Sequence, residues 1–458
     1  MSVRAPEAIG TNLQLFMDDH WIATSDGAQR RMHPAVKCNA AILPENPWEM
    51  GYVGGMSTVK DGNIYKAWYT CDDASIFDDP KISWFRKTAY AESLDGITWA
   101  KPRVGLHEFE GSKDNNLVWM GPSGVLGVFL DTNPDAKEEE RFKAVGIRRE
   151  GKELVVVALA SHDGKDWSIM QDPILTEGPF DTMNIPFWDE VRGEYVVYTR
   201  AVAGEGSFIG GVRWIRRTTS KDFRNWTGFE AIVAGDTPFE HLYTSACVPY
   251  ERAPGTYLMF PSRYVPERTP DPDWYGGKGV SDIVFMSSRD GINFDRSFME
   301  AFVRPGPDKN NWHERAIYME RGIHQTSPTE ISLYGMEGLR TRSVNVRRYT
   351  VRTDGFVSVN AGASGGEFTT HPMTFTGGSL ELNFSTSAVG SVRVEIQDAD
   401  STPLPKFAMA DCPDHFGDDI EGGVTWHGGG DLSGLAGKPV RLRFALKDAD
   451  LYAFRFSG

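Results

Sequence analysis

Cysteine is scarce: four residues in 458, Cys38, Cys71, Cys247 and Cys412, with no CxxC pair and no zinc-like spacing. That excludes a disulfide scaffold or a thiolate metal centre and leaves reduced core thiols as the expectation. The ten histidines form no HxxxH pair, so no metal ligand set and no cofactor is read from the sequence. No apolar run is long enough for a membrane-spanning helix. Met1 to Gly10 lack the basic segment and apolar stretch of a secretory signal, so a cytoplasmic protein is expected, with an exported mature form as the alternative. Basic residues are outnumbered, 48 Lys and Arg against 63 Asp and Glu, for a net charge of −15, and they form no cluster that would track a phosphate backbone. Nucleic acid and anionic membrane are therefore not expected partners. Oligomeric state is not legible.

What is present is an ordinary globular composition, 40% hydrophobic and 24% charged, in a chain long enough for several domains or one large repeat with an appendage. A repeat decides between them. Ser93-Leu94-Asp95-Gly96-Ile97-Thr98-Trp99 has the form S-x-D-G-x-x-W, and copies begin at Ser161, Ser220 and Ser288, with a worn fifth at Arg352-Thr353-Asp354-Gly355-Phe356. Each follows an apolar or alternating run and supplies a tight turn, so the unit is a hairpin with two further β-rich runs ahead of it. Four strands per unit is the composition of a propeller blade. The Asp residues of the repeat are read as turn-forming. The expected fold is all-β: a five-bladed β-propeller over residues 1–355, its last blade closed by the N-terminal strand Leu13 to Met17, followed by a β-sandwich over 356–458.

A propeller brings the start of each blade's first strand to one axial funnel, so polar residues there are the functional candidates. Those positions hold Trp48-Glu49, Ser123, Asp181 to Asn184, Glu240-His241 and His324-Gln325. Paired carboxylates suit glycosidic bond cleavage, one protonating the leaving oxygen while another attacks or activates water. On this reading Glu240 is the general acid, Asp181 the orienting carboxylate and Glu49 the nucleophile or base, with Asp19 as a competing nucleophile. Sugar contacts are expected from Trp48, Asn184, His241, Tyr243, Arg263, Trp274, His313, Arg315 and Gln325, because aromatic faces stack on sugar rings while polar tips meet hydroxyls. The insertion from Val265 to Ser281 is expected to form a rim loop. A carbohydrate is the expected partner, and no metal is assigned.

This organisation resembles the five-bladed furanosidase group of glycoside hydrolases that includes the invertase and arabinanase families, most closely the invertase-like branch. The segments Leu15-Phe16-Met17-Asp18-Asp19, Ser288-Arg289-Asp290-Gly291 and Arg347 to Phe356 carry the likeness. The resemblance implies acids on blades one, three and four, and hydrolysis of a furanoside or short oligosaccharide. The N-D-P-N-G, R-D-P and E-C signatures of invertases are absent. Alignment by inner-strand length would put Gly55, Asn184 and a residue near Thr244 at the catalytic positions. Two alternatives stand beside hydrolysis: a mannoside-type phosphorylase, with Arg200, Arg213, Arg263 and Arg315 as its cationic pocket, and a non-catalytic carbohydrate-binding propeller.

Overall fold

The computed structural model describes residues 4–74, 87–121, 124, 126–203, 211–271, 273 and 277–458. Among them every regular element is a β-strand or a short 3-10 turn. The strands follow the sequence pattern. Glu153–Ser161, with its run of Val and Ala, is buried on both faces between neighbouring sheets, as continuous apolar runs require. The cysteines are unpaired, three of them buried.

Five antiparallel units succeed one another. The first comprises Gly51–Asp61, Ile64–Asp73, Lys87–Ser93 and Leu117–Trp119. The second runs Leu126–Leu130, Phe142–Glu150, Glu153–Ser161 and Ser168–Leu175. The third runs Ile185–Asp189, Glu194–Ala203, Val212–Ser220 and Glu230–Ala231. The fourth is divided: Val248–Pro249, Tyr257–Met259, Met286–Ser288 and Phe294–Asp295 form one sheet, and His241–Tyr243, Ser262–Val265 and Val280–Ile283 a second. Pro261 and the left-handed residues Thr244 (φ 54°) and Ala246 (φ 43°) lie where the division falls. The fifth, Tyr318–Ser327, Glu330–Glu337 and Asn345–Arg352, is completed by Val36–Ile42. The first strands touch in a closed cycle: Gly51–Asp61 meets Leu126–Leu130, which meets Ile185–Asp189, then Val248–Pro249, then Tyr318–Ser327, which returns to Gly51–Asp61.

The repeated motif forms the outer turn of four units. Asp95 Oδ1 accepts the backbone N–H groups of Ile97 and Thr98 at 2.7 and 2.8 Å, while Ser93 Oγ accepts from Gly96 N at 2.9 Å. Asp163, Asp222 and Asp290 repeat the arrangement. Burial works against ionisation of these carboxyls, but the converging N–H donors prevail and hold Asp222 and Asp290 down to about 2. Their contribution to stability is thus present above the ordinary carboxylate range and lost as pH falls towards 2. Asp290→Ala, which orphans two N–H groups, is expected to cost about 1–3 kcal/mol, read as a lower urea midpoint. Neighbouring units are tied through these turns. Trp68 donates to Gly164 O, Tyr198 to Gly291 O and, across the seam between units five and one, Tyr334 to Gly96 O.

One expectation is corrected. The strand that completes unit five is Val36–Ile42, whereas Gln14–Leu15, within the expected closing segment, pairs with Val440–Ser457. The first 32 residues likewise add Glu7–Gly10, Ile22–Asp26 and Gln29–Met32 to the C-terminal sheet. The physical reason is the core they join: Phe16 and Trp21 are fully buried among Phe368, Phe444 and Phe454. That C-terminal part is organised by Ser379–Asp398 and Val440–Ser457, paired along most of their lengths. It meets the repeat units at Phe356, stacked 5.9 Å from Phe285, and at Asp354, which receives Tyr250 and Arg252.

Candidate functional site

Gly51–Asp61 and Tyr318–Ser327 run parallel, and the end of the cycle at which they begin is called the mouth here. Asp181 stands ahead of Ile185–Asp189, in a loop pinned by Asn184 Nδ2 donating to the carbonyls of Phe180 and Thr182. Arg200 and Arg213 occupy adjacent antiparallel strands, Arg200 opposite Ile215 and Arg213 opposite Val202, so both project from one face as diagonal neighbours. His241 and Tyr243 share a face of the next short strand. Arg315, in a left-handed conformation (φ 56°), and Tyr318 come from the start of unit five.

These residues converge. Arg200 Nη1 donates to Asp181 Oδ1 at 2.5 Å, and the Tyr243 hydroxyl donates to Asp181 Oδ2 at 3.3 Å. The Arg200 and Arg213 guanidiniums lie 5.1 and 5.6 Å from the Tyr243 ring centre, and Arg213 lies 4.9 Å from that of Tyr264. Tyr318 packs on Tyr243 with centroids 5.6 Å apart. Burial, reinforced by the Asp181 charge and opposed by the arginines, pushes the Tyr243 phenol up to about 12. Glu314 receives Arg340 at 2.6 Å and also pairs with Arg315. Phe239, 54% exposed and resting on Trp214, and Trp312, 43% exposed, offer solvent-facing rings close by in the chain.

One pleat period beyond Tyr318 lies Glu320, a buried carboxyl. Its Oε1 accepts the Gly55 N–H at 2.8 Å across the seam between units five and one. Burial pushes its pKa up to about 8 against the pull of the Gly55 and Met56 N–H groups, so it holds its proton at neutral pH. With the folded value raised above the unfolded one, the stability tied to this proton is complete below the ordinary glutamate range and is lost as pH rises towards 8. Glu320→Gln keeps an acceptor for Gly55 and has no charge to bury. The variant is expected to gain thermal stability over the parent at pH 8, with the gap closing towards pH 5 in paired melts. Nearby, Thr70 Oγ1, Thr182 Oγ1, Asn184 Oδ1 and Thr244 Oγ1 are buried without a hydrogen-bond partner among the described residues. A Cβ on Gly55 would sit 3.1 Å from that Thr70 oxygen, and one on Gly127 would strike Asn184 O, so these mouth positions are contiguous.

The residues expected from sequence divide sharply. Asp181, Asn184, His241, Tyr243 and Arg315 lie at the mouth. Glu49 does not face it: the residue is fully buried, and its carboxylate accepts from Glu45 N, Asn46 N, Asn46 Nδ2 and Tyr69 and pairs with Lys101 at 2.7 Å. No lone pair is left for a substrate. Glu240 is turned to Arg296, itself fully buried, rather than to Asp181. The three expected acids are therefore not assembled. Trp48 donates to Asn116 at 2.6 Å inside unit one, and Arg263 is held by both oxygens of Asp282. Gln325 sits at the opposite end of its strand, receiving Arg252 at 2.9 Å, because unit five starts at Tyr318 and not after His324. His324 contacts Thr58 there. His313 precedes Glu314 and Arg315, its pKa lowered by burial. Asp19 is an exposed partner of Arg30 on the C-terminal sheet side. Trp274 and Ser123 lie outside the described residues, as does part of the expected rim loop, whose flanks are the strands Ser262–Val265 and Val280–Ile283.

Glu314, Tyr318, Glu320 and Arg340 were missed. The signal that could have found them is the alternation Tyr318-Met319-Glu320, which starts the first strand of unit five ahead of the expected entry at His324-Gln325. Two cavities, of 340 and 280 Å³, open elsewhere, lined by Asp18, Arg289 and Asp290 and by Glu7, His20 and Pro254 respectively. Neither includes a mouth residue. Among the described residues no cluster of His, Cys, Asp and Glu could hold a metal ion, and no helix is long and apolar enough to cross a membrane.

Fold and site together define an all-β protein with an arginine- and tyrosine-rich mouth at the end of a closed cycle of strands. No family model and no curated protein matches the chain. Among solved structures it is similar to a β-1,2-mannobiose phosphorylase from Listeria innocua, at 11% identity over 70% of this chain and 96% of that one, with a TM-score of 0.47. It is also similar to a family 32 β-fructofuranosidase from Bombyx mori, at 9% identity over 92% of this chain and 94% of that one, TM-score 0.43. A family 43 arabinoxylan arabinofuranohydrolase from Bacillus subtilis shows 14% identity over 90% and 97%, TM-score 0.41.

Proposed function

We propose that the five units are the blades of a β-propeller, that the C-terminal strands form a β-sandwich beside it, and that the mouth cleaves a glycosidic bond. The observation that carries this reading is chemical. Four buried hydroxyl and amide oxygens, on Thr70, Thr182, Asn184 and Thr244, have no partner among the described residues. Thr70 lies beside Gly55, whose N–H meets Glu320, Thr182 and Asn184 belong to the Asp181 loop, and Thr244 follows Tyr243, which donates to Asp181. Buried polar groups are rarely left unpaired, and a ring of sugar hydroxyls would satisfy them. Thr244 adds backbone strain of the kind that clusters at functional sites.

The two carboxyls differ in environment, as acid–base division of labour requires. Asp181, paired with Arg200 and a third exposed, is the carboxylate that attacks or activates water. Glu320 carries the proton that a leaving oxygen would take. In this scheme Glu320 supplies the carboxyl that unit one lacks at Gly55. Glu49 and Glu240 take structural roles. Hydrolysis of a furanoside or short oligosaccharide is the leading form. Phosphorolysis is the second reading, and the arginines at the mouth favour it specifically. A panel of aryl glycosides and short oligosaccharides, incubated with and without inorganic phosphate, tests both. Reducing sugar released without phosphate supports hydrolysis, and sugar phosphate formed only with it supports phosphorolysis. Binding with no product from any member of the panel would leave a non-catalytic carbohydrate-binding propeller.

A further inference from the structure

The charge pattern of the mouth is uneven. Of its four arginines, Arg200 meets Asp181, and Arg315 and Arg340 share Glu314. Arg213 is different. Its polar contact within the site is Nη1 to His241 Nδ1 at 3.5 Å, its Nε is buried without a partner, and no carboxylate among the described residues lies within ion-pair distance. The guanidinium is held instead against the faces of Tyr243 and Tyr264. Arg315 reaches the same two phenols electrostatically, and its Nε is buried and unpartnered as well. His241 Nδ1 accepts the Arg213 backbone N–H at 3.1 Å, which places the ring proton on Nε2 as a further donor. Glu267, the remaining acid that acts on His241, is exposed.

A guanidinium taken partly out of water without a counter-charge is costly, and a planar oxyanion that accepts its fork relieves that cost. The chain as a whole carries −15, so a cation in its mouth with no acid partner among the described residues runs against its own average. We propose that Arg213, with Arg315 and the His241 ring, forms an oxyanion subsite, and that the saccharide taken at the mouth is acidic, bearing a carboxylate such as that of a uronic acid. This rests on the proposed carbohydrate site and names its substrate class. A free phosphate ion presents the same chemistry, and the test separates the two sources.

The experiment is calorimetric titration of the full chain with D-glucuronate, D-glucose and sodium phosphate at one ionic strength. D-Glucuronate is expected to bind at least about tenfold more tightly than D-glucose. Arg213→Gln is expected to bring that ratio close to one, and Arg213→Lys, which keeps the charge but not the fork, to leave an intermediate ratio. Unchanged melting temperatures show that each variant is folded. Tight phosphate binding that Arg213→Gln abolishes, with no preference for D-glucuronate, keeps the subsite and assigns it to free phosphate. No preference for either anion, or a preference that survives Arg213→Gln, overturns the subsite. Cleavage of neutral glycosides without anion preference removes the subsite but not the glycosidase reading. Anion binding without cleavage of any glycoside does the reverse.

Discussion

Asp181→Asn is expected to lower turnover of a cleavable glycoside by about a thousandfold, the scale of losing a reacting carboxylate, while the protein still folds. The amide that replaces the carboxylate would keep an acceptor for Arg200 Nη1, and the lost charge is a third exposed, so the stability cost should stay near about 1 kcal/mol. The pairing of a large kinetic effect with a small thermal one identifies Asp181 as a reacting group and not as a pin. Steady-state rates and melting curves on the same preparation read both quantities. Glu240→Gln gives the contrast. Its carboxylate serves the buried Arg296 as Asp181 serves Arg200, so the variant is expected to lose a comparable amount of stability, while the folded protein retains its turnover.

The second large effect is structural. Glu49→Ala is expected to destabilise the chain by about 3–5 kcal/mol, enough to leave much of it insoluble at growth temperature. Removing this carboxylate orphans the Glu45 and Asn46 N–H groups and the Tyr69 hydroxyl and leaves Lys101, only 12% exposed, without its near partner. Glu49→Gln retains an acceptor and should recover part of the loss. The measurement is the urea midpoint of each variant. A Glu49→Ala protein that unfolds with the parent but has no activity would return Glu49 to the chemistry.

The outer turns were the most legible part of the chain, because Ser, Asp and Gly at fixed spacing act through local backbone hydrogen bonds that need no tertiary context. The mouth was legible in part. Asp181, Asn184, His241 and Tyr243 sit just ahead of or within short strands whose onset the pattern marks, and Asp181 and Tyr243 meet in a hydrogen bond. Glu49 was misread because position along a blade says nothing about where a carboxylate turns. Asn46 and Lys101 capture it locally, and that capture is visible only in three dimensions. Glu320 was missed for the opposite reason. It lies inside a strand, where an acid reads as an interruption, and its partner Gly55 is 265 residues away. The closing strand was misplaced because Leu13 to Met17 and Val36–Ile42 are both plausible edges, and the choice between them is made by aromatic packing of Phe16 and Trp21 in the C-terminal core.

The most direct test is a crystal soaked with a mixture of monosaccharides. A sugar ring bounded by Tyr243, Asp181 and Arg213, its hydroxyls meeting the orphan oxygens of Thr182, Asn184 and Thr244, is the predicted result. A ring bound only in the cavity beside Arg289 and Asp290, with the mouth empty, would contradict it.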